Sequence, residues 1–333
     1  MDSVAQIALT RALVDIDSTT GREAAAGSFL ARTLRDLGYD VTEQPVADGR
    51  FNVFASFDDP VVVLSTHFDT VPPFFPSRIE GDRLHGRGAC DAKGALVAMI
   101  GAAERLRAAG EKRIGLLFVV GEERGSDGAR TANLAPPGSR YLIDGEPTGN
   151  RLGTATRGVY RARLRASGKA AHSSQPELGE SAIDKLIDAL ILLRGVEWLD
   201  DPVMGRTFYS VGLIDGGVAT NVISPSASAE LMFRTVGSHV DVRERILATV
   251  GHLVSVEDTA VVTPVILHTV PGMPSASFAF ATDISFLDRW GAPLLLGPGS
   301  ITLAHTADES VGIDELTHAV DLYVHLCRHL LDA

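Results

Sequence analysis

The chain has 333 residues, 45% of them hydrophobic and 22% charged, with a formal net charge of −12. At ~100–200 residues per domain this suggests two domains, and the acidic balance with no basic run argues against a nucleic-acid or anionic-membrane partner. No apolar stretch reaches the ~20 residues of a membrane span, Met1-Asp-Ser-Val-Ala lacks a signal-peptide pattern, and two cysteines make no disulfide framework, so a cytoplasmic setting is expected.

In chain order, 3–15 and 22–37 read as helices, the second with Leu30, Leu34 and Leu37 on one face and Gly38 as its stop. Strands follow near 40–45, 52–57 and 61–66. An Ala-rich helix at 93–109 precedes a strand at 114–120, a helix near 126–134 and a strand at 140–144. From Val159 the texture changes: Val-Tyr-Arg-Ala-Arg-Leu-Arg-Ala166 alternates apolar and charged residues, as an antiparallel strand with one wet face does. A helix at 181–194, strands near 207–214 and 227–235, a helix at 241–254 and a strand at 259–266 complete a β-α-β-β-α-β order, which is ferredoxin-like. Residues 270–333 read as helix–strand–helix. The expectation is an α/β domain, 1–154 with 268–333, built on a mixed, mostly parallel sheet flanked by helices, and an inserted α+β domain at 155–267.

Polar residues recur where the buried strands stop. Val61-Val-Val-Leu-Ser-Thr66 ends at His67, and Ile114 to Val120 is followed by Gly121, Glu122 and Glu123. Tyr141-Leu-Ile143 runs into Asp144-Gly145-Glu146, and Leu294 to Gly297 leads through a Pro/Gly loop to His305. Parallel sheets place their sites at strand carboxyl ends, and imidazoles with carboxylates there suit zinc or a similar divalent ion. Asp91 immediately precedes a helix, whose positive N-terminus favours its ionised form. Asp69, two residues beyond His67, can accept the imidazole's other N–H and fix its tautomer. Two divalent cations balance Asp91, Glu123, Glu146 and one hydroxide. Cys90, beside Asp91, reads as a small buried thiol rather than a ligand.

Six segments in order resemble the M20 family of co-catalytic zinc amidohydrolases and carboxypeptidases. They are Ser65-Thr-His-Phe-Asp-Thr-Val-Pro72, Gly86-Arg-Gly-Ala-Cys-Asp-Ala-Lys-Gly94, Gly121-Glu-Glu-Arg-Gly-Ser126, Asp144-Gly-Glu-Pro-Thr148, Gly168-Lys-Ala-Ala-His-Ser-Ser-Gln-Pro176 and His305-Thr-Ala-Asp-Glu309. Leu296-Gly-Pro-Gly-Ser-Ile301 with Ala304-His305 is most similar to the acetylornithine deacetylase branch.

The resemblance implies a zinc-exopeptidase-like fold and two Zn2+ ions, for which Co2+ can substitute. His67 and Glu146 would hold one ion, Glu123 and His305 the other, and Asp91 would bridge. Glu122 would be the general base, and a cis peptide would follow Asp91. His172, which alone reads as a surface histidine, would stabilise the tetrahedral oxyanion in a partner subunit's site, with a homodimer formed through the inserted domain. Arg234 and Asn221 would grip a substrate carboxylate, although Asn221-Val-Ile leads into Ser224-Pro225 where many relatives have Pro directly, and Ala92 replaces a larger residue common after the bridging Asp. The expected activity is hydrolysis of an N-acyl amino acid in an amino-acid pathway, with a dipeptidase or carboxypeptidase on the same scaffold as the alternative. An M28-type aminopeptidase would lack the insertion carrying His172, and a catalytically dead binding protein would show a broken ligand set.

Overall fold

The computed structural model describes residues 1–47 and 49–333. Strands Val62–His67 and Ile114–Val119 are buried at every position. Their side chains alternate between two cores. Val62, Leu64, Leu116 and Phe118 join the larger cluster with the Lys93–Ala108 and Ile313–Asp332 helices. Val63, Leu117 and Val119 face a smaller one around Leu142 and Trp290. Burying such a side chain contributes ~1.5–3 kcal/mol, so a strand apolar on both faces is fixed between two helical layers. Charged residues can then emerge only where a strand ends.

The sheet runs Asp40–Ala47, Arg50–Ser56, Ile114–Val119, Val62–His67, Tyr141–Asp144, Ala292–Leu295. The last four are mutually parallel and the first two antiparallel. This is the mixed, mostly parallel sheet expected. It belongs to a unit formed by Met1–Thr154, Leu267–Ala276 and Thr282–Ala333.

The second unit comprises Ala155–Ile266 and Ser277–Ala281. Its four-stranded sheet runs Ser255–Val262, Gly158–Ser167, Ser226–Thr235, Phe208–Gly216, antiparallel throughout. By chain order the strands read 4-1-3-2, the ferredoxin-like arrangement. Tyr160, Ala162, Leu164 and Ala166 point into a core closed by Ala182, Leu186, Ala189 and Leu193 of one helix and Val242, Ile246 and Val250 of another. Those helix spacings of three, four or eight place each set on one face. The opposite face of the sheet carries Arg163 paired with Glu230 at 2.5 Å and Arg165 with Glu257 at 3.0 Å.

Several elements differ from the sequence reading. The helix expected over 241–254 stops at Val250, before Gly251, and the strand expected at 259–266 lies at Ser255–Val262. No α-helix opens the 270–333 segment. Pro271, Gly272 and Pro274 interrupt the pattern, and a strand at Ser275–Phe278 and one 3-10 turn at Asp283–Phe286 stand there instead. The helix near 126–134 is a short one, Asp127–Ala132. Among the described residues no helix is long and apolar enough to cross a membrane.

Candidate metal centre

The four parallel strands deliver their following residues to one edge. His67 ends its strand outright. Gly121 turns the chain after the next strand, with φ +76; a Cβ there would lie 1.8 Å from Asp127 Oδ1, so only glycine fits this turn. Glu122 and Glu123 follow in a single 3-10 turn. Gly145 N donates to Ser65 O at 2.8 Å and Thr66 Oγ1 to Gly145 O at 2.7 Å, which holds Glu146 beside the His67 strand. His305 sits in the left-handed backbone region at φ +64, uncommon for a residue with a Cβ and frequent at functional sites. The Asp91–Ala92 peptide is cis.

The side chains meet around Asp91. Its Oδ1 lies 3.2 Å from His67 Nε2, which is 3.9 Å from Glu146 Oε1. Its Oδ2 lies 3.2 Å from His305 Nε2, which is 3.0 Å from Glu123 Oε1. One carboxylate therefore faces two imidazoles, each accompanied by a glutamate. Two ligand atoms each ~2.0–2.1 Å from a tetrahedral ion stand roughly 3.3 Å apart, within the observed 3.0–3.9 Å. The donor set of nitrogen and oxygen, with no thiolate, fits zinc or a similar divalent ion at two positions. Cys90 is buried, and its Sγ donates to Ser300 O at 3.5 Å rather than joining the set.

Asp69 lies beside His67 and contacts more than the ring. His67 Nδ1 is 3.0 Å from the Asp69 main-chain carbonyl and 3.5 Å from its carboxylate. The carbonyl is thus the closer acceptor fixing the ring. The carboxylate accepts from Glu122 N at 3.1 Å, Glu123 N at 3.3 Å and the Thr20 hydroxyl at 2.8 Å. It anchors the glutamate turn as well as the histidine. Burial alone would raise its pKa, but His67, Thr20 and the Glu122 N–H outweigh burial and hold it below the usual range.

The centre is strongly acidic. Burial raises Glu146 well above the ordinary glutamate value, with Asp91 adding to the effect. Burial also raises Glu122 well above that value, with Asp283, Glu123 and Asp91 contributing against the opposing pull of His67. Glu123 is raised by burial and by Asp91. Asp91 goes the other way: burial would raise it, but His305 and His67 hold it below its ordinary value. The sequence reading missed two buried carboxylates behind these groups, Asp144 and Asp283, each pushed up to about 7 by burial. Neither pairs with a basic side chain among the described residues. Asp144 was visible in the Asp144-Gly-Glu motif. Asp283 carried no signal, because its segment reads as part of the helix expected to open residues 270–333.

Asp91 and Glu123 push His305 up to about 10 in the metal-free chain. His67, despite burial that lowers it, is held well above its ordinary value by Asp69 and Asp91. Both rings are therefore cationic near neutrality, and an ion takes only the neutral ring. Divalent-ion binding should release protons, and affinity should rise with pH toward about 10, where the His305 ring loses its proton. Calorimetry in buffers of different ionisation enthalpy measures this; binding with no proton release would contradict it.

Arg234, Asn221 and His172 belong to the second unit. His172 is exposed, its Nδ1 2.8 Å from Ser174 Oγ, and it forms an antiparallel bridge with Val222. Ser173 N donates to Asn221 O at 3.0 Å, so His172 and Asn221 share one turn region. Arg234 is half-buried on the Ser226–Thr235 strand, with no carboxylate in ion-pair range among the described residues, and burial lowers its pKa.

A nitrogen–oxygen ligand set split about one carboxylate, at the carboxyl edge of a mixed sheet, is the chemistry of hydrolases that use two metal ions. Residues 63–329 match the family described as Peptidase family M20/M25/M40, and the chain belongs to that family, which is metal-dependent. It is 37% identical to a probable carboxypeptidase of Aspergillus fumigatus over 380 residues, covering 97% of this chain and 86% of that one. Its fold is similar to that of a tripeptidase from Staphylococcus aureus, with a TM-score of 0.84, 20% identity and full coverage of both chains. It is also similar to that of a dinuclear metal-binding peptidase from Bacillus subtilis, with a TM-score of 0.75, 15% identity, and 99% and 98% coverage.

Proposed function

We propose that this chain is a two-metal exopeptidase of the carboxypeptidase or dipeptidase type, acting on short peptides. The observation that carries it is the Asp91 carboxylate, with His67 and Glu146 about one oxygen and His305 and Glu123 about the other. The peptidase reading takes precedence over N-acyl amino acid deacylation because the relatives bear peptidase names. The acetylornithine-like reading rests on the Leu296–Ile301 loop with Ala304-His305 and becomes an outcome of the test.

When bound, two divalent ions would polarise the scissile carbonyl and lower the pKa of water. Five side chains would hold them: His67 and Glu146, Glu123 and His305, with Asp91 between. Glu122 makes no ion pair with either imidazole among the described residues, whereas its neighbour Glu123 does. Asp69 fixes the Glu122 main chain. The raised pKa of Glu122 suits a group that accepts a proton from water and passes it to the leaving amine. Arg234, lacking a counter-ion, would accept a substrate carboxylate in its planar fork, with Asn221 assisting.

The second unit carries a surface suited to a second copy of this chain. The Phe208–Gly216 strand is a sheet edge, with Phe208, Val211, Leu213 and Ile214 exposed. Ile187 and Ile191 on the Ala182–Arg194 helix are also exposed. An unpaired apolar edge is normally blunted or covered, and strand addition by a second copy covers it. In such a homodimer His172 would serve the partner's site. Free, buried Cys90 and Cys327 fit a reducing cytoplasm.

Metal-stripped protein reconstituted with zinc or cobalt should hydrolyse dipeptides or tripeptides with kcat/KM at least about tenfold above N-acetyl and N-succinyl amino acids, a difference of ~1.4 kcal/mol in transition-state binding. The reverse ratio would establish the deacylase instead.

A further inference from the structure

The loop that carries Asp91 is organised around one carboxylate outside the ligand set. Glu309 is fully buried. Its Oε1 accepts three main-chain N–H groups, from Gly88 at 2.9 Å, Asp91 at 3.1 Å and Cys90 at 3.3 Å. Its Oε2 accepts from the guanidinium of Arg87, itself buried. The Glu309 carbonyl accepts from Gly86 N at 3.1 Å, and the next residues, Ser310–Gly312, pair with Arg83–His85. Arg87 is fixed in turn, its Nε donating to Pro73 O at 3.2 Å and its guanidinium lying over the Phe75 ring. Gly88, at φ +86, lets the main chain curl its N–H groups toward one point.

This placement does more than fill a buried space. Three convergent N–H groups fix three peptide planes of the 88–91 turn, the last being the one that aims the Asp91 side chain. Glu309 also lies four residues after His305, on the same loop. One side chain thus links the residue between the two imidazoles to one of those imidazoles.

We propose that Glu309 is the positioning residue for Asp91, setting the angle at which that carboxylate is shared between the two ion positions. The inference rests on the two-metal reading above. It concerns the geometry of the shared carboxylate, so its effect falls chiefly on the second ion, whose binding needs Asp91 already turned toward both positions.

The test is Glu309→Gln, with Glu309→Asp as the second variant. Glutamine cannot satisfy both sides: it presents an amide either to three N–H groups or to Arg87. Aspartate keeps the charge but cannot reach both sides at once. Metal-stripped wild type and both variants are titrated with Co2+ by calorimetry, and their visible Co2+ spectra and thermal melts are recorded. Lower melting temperature is expected whether Glu309 positions or merely stabilises, so it decides nothing alone. The positioning role predicts second-ion affinity about 10–100-fold weaker, an altered spectrum for the fully loaded protein, and a first-ion affinity close to wild type. It also predicts kcat reduced with KM little changed. If Glu309→Gln does not fold, Glu309→Asp is expected to show the same pattern at smaller size. A folded variant that binds both ions as wild type does, with an unchanged spectrum, overturns the proposal and leaves Glu309 a structural ion pair. Wild type binding fewer than two ions overturns the two-metal reading itself, and this inference with it.

Discussion

Glu122→Gln should lower kcat by about 10²–10⁴-fold while both metal equivalents stay bound. The substitution keeps the size of the side chain and the main-chain N–H that Asp69 accepts at 3.1 Å. It removes only the capacity to take a proton. Glu122 stands outside the groups about Asp91, so the ion positions should not feel its loss. Its neighbour separates the two roles: Glu123 lies 3.0 Å from His305 Nε2, and Glu123→Gln should lower metal content as well as activity. Turnover within about tenfold of wild type for Glu122→Gln would place the base elsewhere.

His172→Ala should lower kcat by about 10²–10³-fold with a much smaller change in KM, the signature of a contact made mainly in the transition state. One preorganised donor to an oxyanion contributes ~2.7–4 kcal/mol. His172 is exposed, in a turn held by Ser174 and by the bridge to Val222, so its loss should leave the chain folded. Because it would act on the partner's site, mixing inactive His172→Ala with inactive Glu122→Gln subunits should restore activity. In the mixed dimer one site receives its base from one chain and its histidine from the other. No recovery after confirmed subunit exchange, or full activity in a monomer, would contradict this arrangement.

Much of the metal centre could be read from strand logic. Residues 62–66 and 114–120 carry no charged side chain and are buried, so the first charged or titratable residue after each must lie at the sheet edge. That brings His67 and the Glu122–Glu123 turn together without further information. Glu146 follows by the same argument. His305 was reached less directly, through a Pro/Gly loop of nine residues after Leu295, and its place beside Glu123 rested on the family resemblance. The roles of Asp69 and Glu309 were harder to read. Which carboxylate oxygen meets which main-chain N–H depends on loop conformation, and the pattern of apolar residues does not encode it. Asp283 escaped notice because its segment reads as helix. The helix expected early in 270–333 failed because two prolines and a glycine within 271–274 outweigh the apolar residues around them. The ferredoxin-like order was legible from the β-α-β-β-α-β succession that opens with the alternating strand at 159–166, where Tyr160, Ala162 and Leu164 are buried and Arg161 and Arg165 exposed.

The central claim is that Asp91 is shared by two ions, and anomalous diffraction at the zinc edge on zinc-loaded crystals tests it most directly. The account predicts two peaks about 3.5–4 Å apart, one beside His67 and Glu146 and the other beside Glu123 and His305, with an Asp91 oxygen on each. A single peak, or two peaks with Asp91 in contact with neither, would contradict it.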